Sequence, residues 1–193
     1  MTDIVNWSIL PDNLPAPADD RLAAHLAKAV IPNIALLSTS GSAVDLAAAS
    51  GRTVVYIYPR TAIPGEPVFE WNSIPGARGC TPQSCAFRDH YTELKTLGAE
   101  VFGLSVQSTA HQAEAAERLH LPFALLSDEN RAFANALNLP RFEGAGDILL
   151  KRLTLIIRDG VIEHVFYPVF PPDKNAGEVV AWLKANPVSD PSR

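Results

Sequence analysis

The chain has 193 residues, 47% hydrophobic and 19% charged, with a net charge of −5. That profile suits one globular domain long enough to bury a core, and it excludes a disordered chain. No basic cluster fits nucleic acid, no apolar run reaches the roughly 18–20 residues that span a bilayer, and the start lacks a basic-then-apolar leader. The expectation is a cytoplasmic protein with neither nucleic-acid nor membrane partners.

Residues 1–30 read as an N-terminal extension. Pro11, Pro15 and Pro17 break its start, and Ala18–Val30 suits a short helix capped by Asp19 or Asp20. From Ile31 strands and helices alternate. Asn33–Leu37 is a strand candidate, Ser40–Ser42 a turn and Val44–Ala49 one helical turn. Thr53–Tyr58 is β-rich and apolar on both faces, as a central parallel strand requires. A long loop from Pro59 to Gly79 follows, carrying Pro59, Pro64, Pro67 and Pro75; a loop of that length inside a compact domain is uncommon and often functional. Within it, Phe69 and Trp71 cover a pocket, anchor the loop or make an oligomer contact.

Thr81–Leu97 predicts a helix ending at Gly98. Ala99–Ser105 is a second buried strand, Ala110–Leu119 a helix, Phe123–Leu126 a short strand and Asp128–Leu137 another helix. Leu153–Ile157 and Val161–Phe166 form a hairpin around Asp159-Gly160, and Asn175–Ala185 is the closing helix. One domain over 31–186, with a tail at 187–193, is expected. The alternation predicts an α/β protein with a central mixed β-sheet flanked by helices, an arrangement that fits a thioredoxin-like fold.

Only two cysteines occur, Cys80 and Cys85. In a reducing compartment such a close pair points to redox catalysis or metal binding rather than to a structural disulfide framework. Cys80 stands where the loop gives way to a helix, with Pro82 suited to the first turn. Free N–H groups and the helix dipole at that end favour an anion, so a cysteine there is expected to ionise more easily, and thiolate is the form that attacks. Cys80, Cys85 and His90 offer three ligands at a spacing that matches no common zinc site, so no metal is expected. Arg88 and Asp89 read as a helix-surface pair.

The stretch Gly79-Cys-Thr-Pro-Gln-Ser-Cys-Ala-Phe-Arg-Asp89 resembles the Gly-Cys-Thr-x-x-x-Cys-x-x-Arg-Asp signature of the peroxiredoxins, in their bacterioferritin-comigratory-protein or PrxQ branch. The likeness continues through Leu97–Ser105, Leu121–Asp128, Lys151–Ile157 and Ile162–Phe166. It implies a thiol peroxidase without cofactor. Cys80 would attack hydrogen peroxide or an organic hydroperoxide, Cys85 would resolve the sulfenic acid to a disulfide, and Arg152 would stabilise the thiolate and the peroxide. Thioredoxin or a similar thiol reductant would be the partner, and the protein a monomer or homodimer.

One departure stands out. The branch usually carries Pro-x-x-x-Thr-x-x-Cys, whose threonine hydroxyl binds the peroxide; here the threonine position is Ala77 and the proline position Ser73. Ser73 and Thr81 are the candidates for supplying the hydroxyl. The same departure leaves room for a redox-sensing binding module with little turnover.

Overall fold

A computed structural model describes residues 6–62 and 71–188; Pro64, Pro67 and Phe69 of the long loop lie outside them. Strands β1 (Ala35–Ser38), β2 (Ala43–Asp45), β3 (Arg52–Ile57), β4 (Ala99–Ser105), β5 (Leu125–Ser127), β8 (Leu153–Arg158) and β9 (Val161–Phe166) form one sheet. Their order is β2-β1-β5-β4-β3-β8-β9. The three inner strands β5, β4 and β3 run parallel, and the flanking pairs are antiparallel. Strands β6 (Arg141–Gly144) and β7 (Asp147–Leu150) make a separate hairpin. The helices are α1 (Cys80–Asp89), α2 (Tyr91–Thr96), α3 (Thr109–Arg118), α4 (Ala132–Ala136) and α5 (Asn175–Ala185). No helix among the described residues is long and apolar enough to cross a membrane.

Every residue of β3 is buried, and its side chains alternate between two cores. Val54 and Tyr56 join Phe87, Leu94, Val179 and Leu183 beneath α1, α2 and α5. Val55 and Ile57 join Phe133, Leu139 and Leu150 on the other face, with Leu26 from the N-terminal segment. Two-sided burial explains why β3 carries no polar alternation. The same parity operates in β8, where Leu153, Leu155 and Ile157 enter the second core and Ile156 the first. Thr154 therefore faces α1 and α5, and so does Arg152, one residue before the strand.

Three expectations are corrected. The helix over Ala18–Val30 is reduced to a single 3-10 turn, Ala24–Leu26. Asp19 and Asp20 accept the N–H groups of Arg21 and Leu22 in local turns, and β9 captures the backbone further on, through Lys28 N to Ile162 O and Ile162 N to Ala29 O. Side-chain and sheet bonds thus displace the helical ladder. Val44–Ala49 is not a helical turn. Its start is β2, paired with β1 through a turn closed by Ser38 N to Ser42 O. The long helix over Thr81–Leu97 is two helices, α1 and α2, separated at His90, whose φ of −92° and ψ of 1° leave the helical basin.

The turn between β8 and β9 has the expected form, with Asp159 and Gly160 both at positive φ, 49° and 75°. A Cβ on Gly160 would lie 2.7 Å from Ala47 O, so this position needs glycine for space as well as for conformation. Gly160→Ala is expected to cost about 1–3 kcal/mol, read as a lowered denaturation midpoint; an unchanged midpoint would mean that the turn shifts freely.

Candidate active site

Cys80 is the first residue of α1 and is 4% exposed. Gly79 caps the helix at a φ of 108°, and a Cβ there would collide with Pro172 and Leu10, so glycine alone brings the helix start this close to its neighbours. Pro82 falls in the first turn, where the N–H groups have no acceptor inside the helix. The sulfur therefore sits at the positive end of α1.

Arg152, 3% exposed, reaches it from the start of β8. Its Nη2 donates to Cys80 Sγ at 3.2 Å and also to Ala77 O at 3.1 Å and Arg78 O at 3.3 Å. Its Nη1 donates to Gln83 Oε1. Gln83 Nε2 in turn donates to Asn175 Oδ1 at 3.0 Å, which also accepts from Thr154 Oγ1 at 2.6 Å. The guanidinium is thus locked by two backbone carbonyls and a buried chain of polar side chains that joins α1, β8 and the start of α5. A donor held this way aims charge at the sulfur without rearranging at the moment of reaction.

A small pocket opens over the sulfur, lined by Trp7, Arg60, Ala62, Trp71, Ala77, Arg78, Gly79 and Thr81. Thr81 lies within it and is 3% exposed. Ser73 is exposed and is not part of that lining. Ala77 is buried in the wall with no hydroxyl to offer. Trp71 combines two of the roles expected of it, packed in the core and lining the pocket. Arg88 pairs with Asp89 at 2.9 Å on the helix surface, and His90 Nδ1 meets Glu93 Oε2 at 3.2 Å.

Cys85 is half-buried on the same helix, and both cysteines are free thiols. Burial pushes the Cys85 thiol up from its ordinary value, with the Arg88 guanidinium pulling the other way. Beneath the helix, Tyr56 stacks on Phe87 with ring centres 4.5 Å apart and donates to Ser84 Oγ at 3.1 Å. Burial raises the Tyr56 phenol well above its ordinary range, so it stays a neutral donor. Gln83, Thr154, Asn175, Trp7 and Arg78 escape the sequence reading. The position of Gln83, three residues after Cys80 and so on the same helix face, is the one signal that could have found any of them.

A mixed sheet with a buried thiol at the start of its first long helix defines a thioredoxin-like scaffold built around one cysteine. The Redoxin family model matches residues 26–180, and the chain belongs to that family, among its peroxiredoxins. Peroxiredoxin Q of rice, a chloroplastic protein, is 34% identical over 155 residues, which is 80% of this chain and 64% of the rice protein. Its counterpart in Sedum lineare is 32% identical over 155 residues, covering 80% of this chain and 75% of the relative. The chain thus spans slightly under two thirds of the rice protein. Among solved structures, peroxidoxin BcpB of Mycobacterium tuberculosis superposes with a TM-score of 0.67 at 24% identity, over 83% of this chain and 97% of its own. Peroxiredoxin Q of Xanthomonas campestris gives 0.64 at 23% identity, over 90% and 96%.

Proposed function

We propose that this chain is a thiol-dependent peroxidase that reduces hydrogen peroxide or organic hydroperoxides. The observation that carries the reading is the Arg152 guanidinium 3.2 Å from the buried Cys80 sulfur at the start of α1. The Cys80 thiolate attacks the hydroxyl oxygen of the peroxide. An S–O bond forms as the O–O bond breaks, sulfur loses two electrons, and the departing hydroxide or alkoxide takes a proton to leave as water or alcohol. Arg152 donates to the sulfur and is placed to follow the charge as it moves onto oxygen. The organic-hydroperoxide branch is supported by the bacterioferritin comigratory protein of Xanthomonas campestris, which is described by its alkyl peroxide reduction activity.

In the second step the Cys85 thiol attacks the sulfenic acid, releasing water and forming the Cys80–Cys85 disulfide. Thioredoxin or a similar thiol donor in the cytoplasm would return both to thiols. Positions i and i+5 of a wound helix lie about 8–9 Å apart at Cα, whereas a disulfide needs roughly 4.4–6.8 Å. Both cysteines lie within wound α1. Its first turns must therefore open before the disulfide closes, and opening also releases Cys85 from the burial that holds its thiol protonated.

The reading is tested by peptide mass spectrometry after one equivalent of peroxide, with a sulfenic-acid trap present or absent. Trapped oxidation at Cys80, and a linked Cys80–Cys85 peptide without the trap, are expected; a Cys80 left unmodified would sink the proposal. Cys85→Ser is expected to keep the first peroxide reaction within about threefold and to leave Cys80 open to sulfinic and sulfonic acids. Normal thioredoxin-dependent turnover in that variant would show that the resolving thiol comes from the reductant. The buried Ala77, where the threonine is absent, favours a second reading of a redox-sensing module with little turnover. Repeated peroxide consumption with a recycling reductant separates the two.

A further inference from the structure

We infer that Arg78 is a further catalytic residue, whose guanidinium holds the peroxide over Cys80 by hydrogen bonds that Ala77 cannot make. The inference rests on the peroxidase reading of the site. Arg78 stands two residues before Cys80, lines the same pocket and is 6% exposed. Only one of its nitrogens is committed: Nη2 donates to Asn6 O at 3.1 Å and Ile9 O at 3.4 Å. Among the described residues, Nε and Nη1 are buried with no hydrogen-bond partner, and no carboxylate pairs with the side chain. Buried donors left unmade cost about 1–3 kcal/mol each, more when charged, so such an arrangement calls for an occupant with acceptor oxygens.

The Trp7 ring covers the guanidinium at 4.2 Å and, with the carbonyls of Asn6 and Ile9, fixes its place. The N-terminal segment thereby becomes a wall of the active site. Burial lowers the Arg78 guanidinium from its ordinary range. Thr81 offers the pocket a neutral hydroxyl, and Arg152 already has both terminal nitrogens engaged. Arg152 keeps only its Nε unpaired and does not line this pocket, and Arg60, the other guanidinium of the lining, stands over the Trp71 ring; Arg78 adds two unspent charged donors. The cavity holds about 20 Å³, room for about one or two water-sized molecules, so hydrogen peroxide is the fitting probe.

The test compares two reactions of Cys80 by stopped flow. The peroxide reaction needs donors that hold the peroxide oxygens, whereas iodoacetamide needs only the thiolate. Arg78→Met is expected to slow the peroxide reaction about a hundredfold and the alkylation less than about threefold. Ala77→Thr added to Arg78→Met is expected to recover part of the loss. Arg78→Lys keeps the cation but removes the Nε and Nη1 donors; it should be about tenfold slower with peroxide alone, and it answers the question if the methionine variant does not fold. A peroxide rate in these variants within about threefold of the parent, or equal losses with both reagents, would reduce Arg78 to a clamp for the N-terminal segment and overturn the inference. If Cys80 of the unaltered protein ignores hydrogen peroxide, the peroxidase reading fails first and takes this one with it.

Discussion

Cys80→Ser is expected to abolish peroxide consumption. Thiolate is the nucleophile in this chemistry, and a serine hydroxyl at the same place neither ionises near neutral pH nor accepts oxygen to form a sulfenic acid. Cys85 cannot stand in. It lies five positions along α1, half-buried, its thiol held protonated by burial, and Arg152 donates to the other sulfur. A loss of more than about a thousandfold in peroxide consumption is expected, with folding unchanged because serine is close in size. A variant that still consumes peroxide would remove Cys80 from the centre of the mechanism.

Arg152→Ala is expected to show the next largest effect, a fall of about a hundredfold to a thousandfold in the rate of Cys80 with peroxide. The substitution strips three kinds of contact together: the donor to sulfur, the bonds to the carbonyls of Ala77 and Arg78, and the bond to Gln83. Because those carbonyls belong to the segment leading into Cys80, the loss combines weaker charge stabilisation with a looser thiol. Arg152→Lys separates the two. It restores a cation but not the fork whose one arm serves the sulfur and carbonyls and whose other arm holds Gln83, and so should recover only part of the rate. A second-order rate unchanged in the alanine variant would return Arg152 to an ordinary packing role.

Much of this site was legible before any coordinates. Cys80, Cys85 and the glycine-cysteine-threonine sequence sit on a helix start because Gly79 and Pro82 mark one locally, and local signals survive folding. Strands β3 and β4, the β8–β9 turn and α5 were legible for the same reason: each has a strong period or a turn pair that no tertiary contact contradicts. Arg152 came from family likeness alone, since a charge before a strand carries no local sign that it will be buried.

The misses share one cause, bonds made at long range. The 18–30 segment has helix-forming alanines and leucines, yet β9 takes its backbone. The β6–β7 hairpin turns through Ala145 and Gly146, at φ of 53° and 76°, and an alanine in a left-handed position is not a turn signal anyone would read from sequence. Asn175 and Thr154 meet Gln83 and Arg152 only because α5 folds back over α1.

The seam at His90 would set the scale of the conformational change that the proposed disulfide demands. A single helix over Thr81–Leu97 would unwind against the cooperativity of its whole length, and fraying begun at Cys80 could propagate to its far end. As it is, α1 has ten residues, and opening through Cys85 leaves four, too few to sustain a turn on their own. In the proposed cycle α1 would therefore melt and reform as one unit. The melting front would stop at His90, because α2 begins its own ladder there and is pinned to the core by Leu94. The break would confine that order–disorder transition to one short segment and leave the sheet and its remaining helices standing as a template on which the segment refolds.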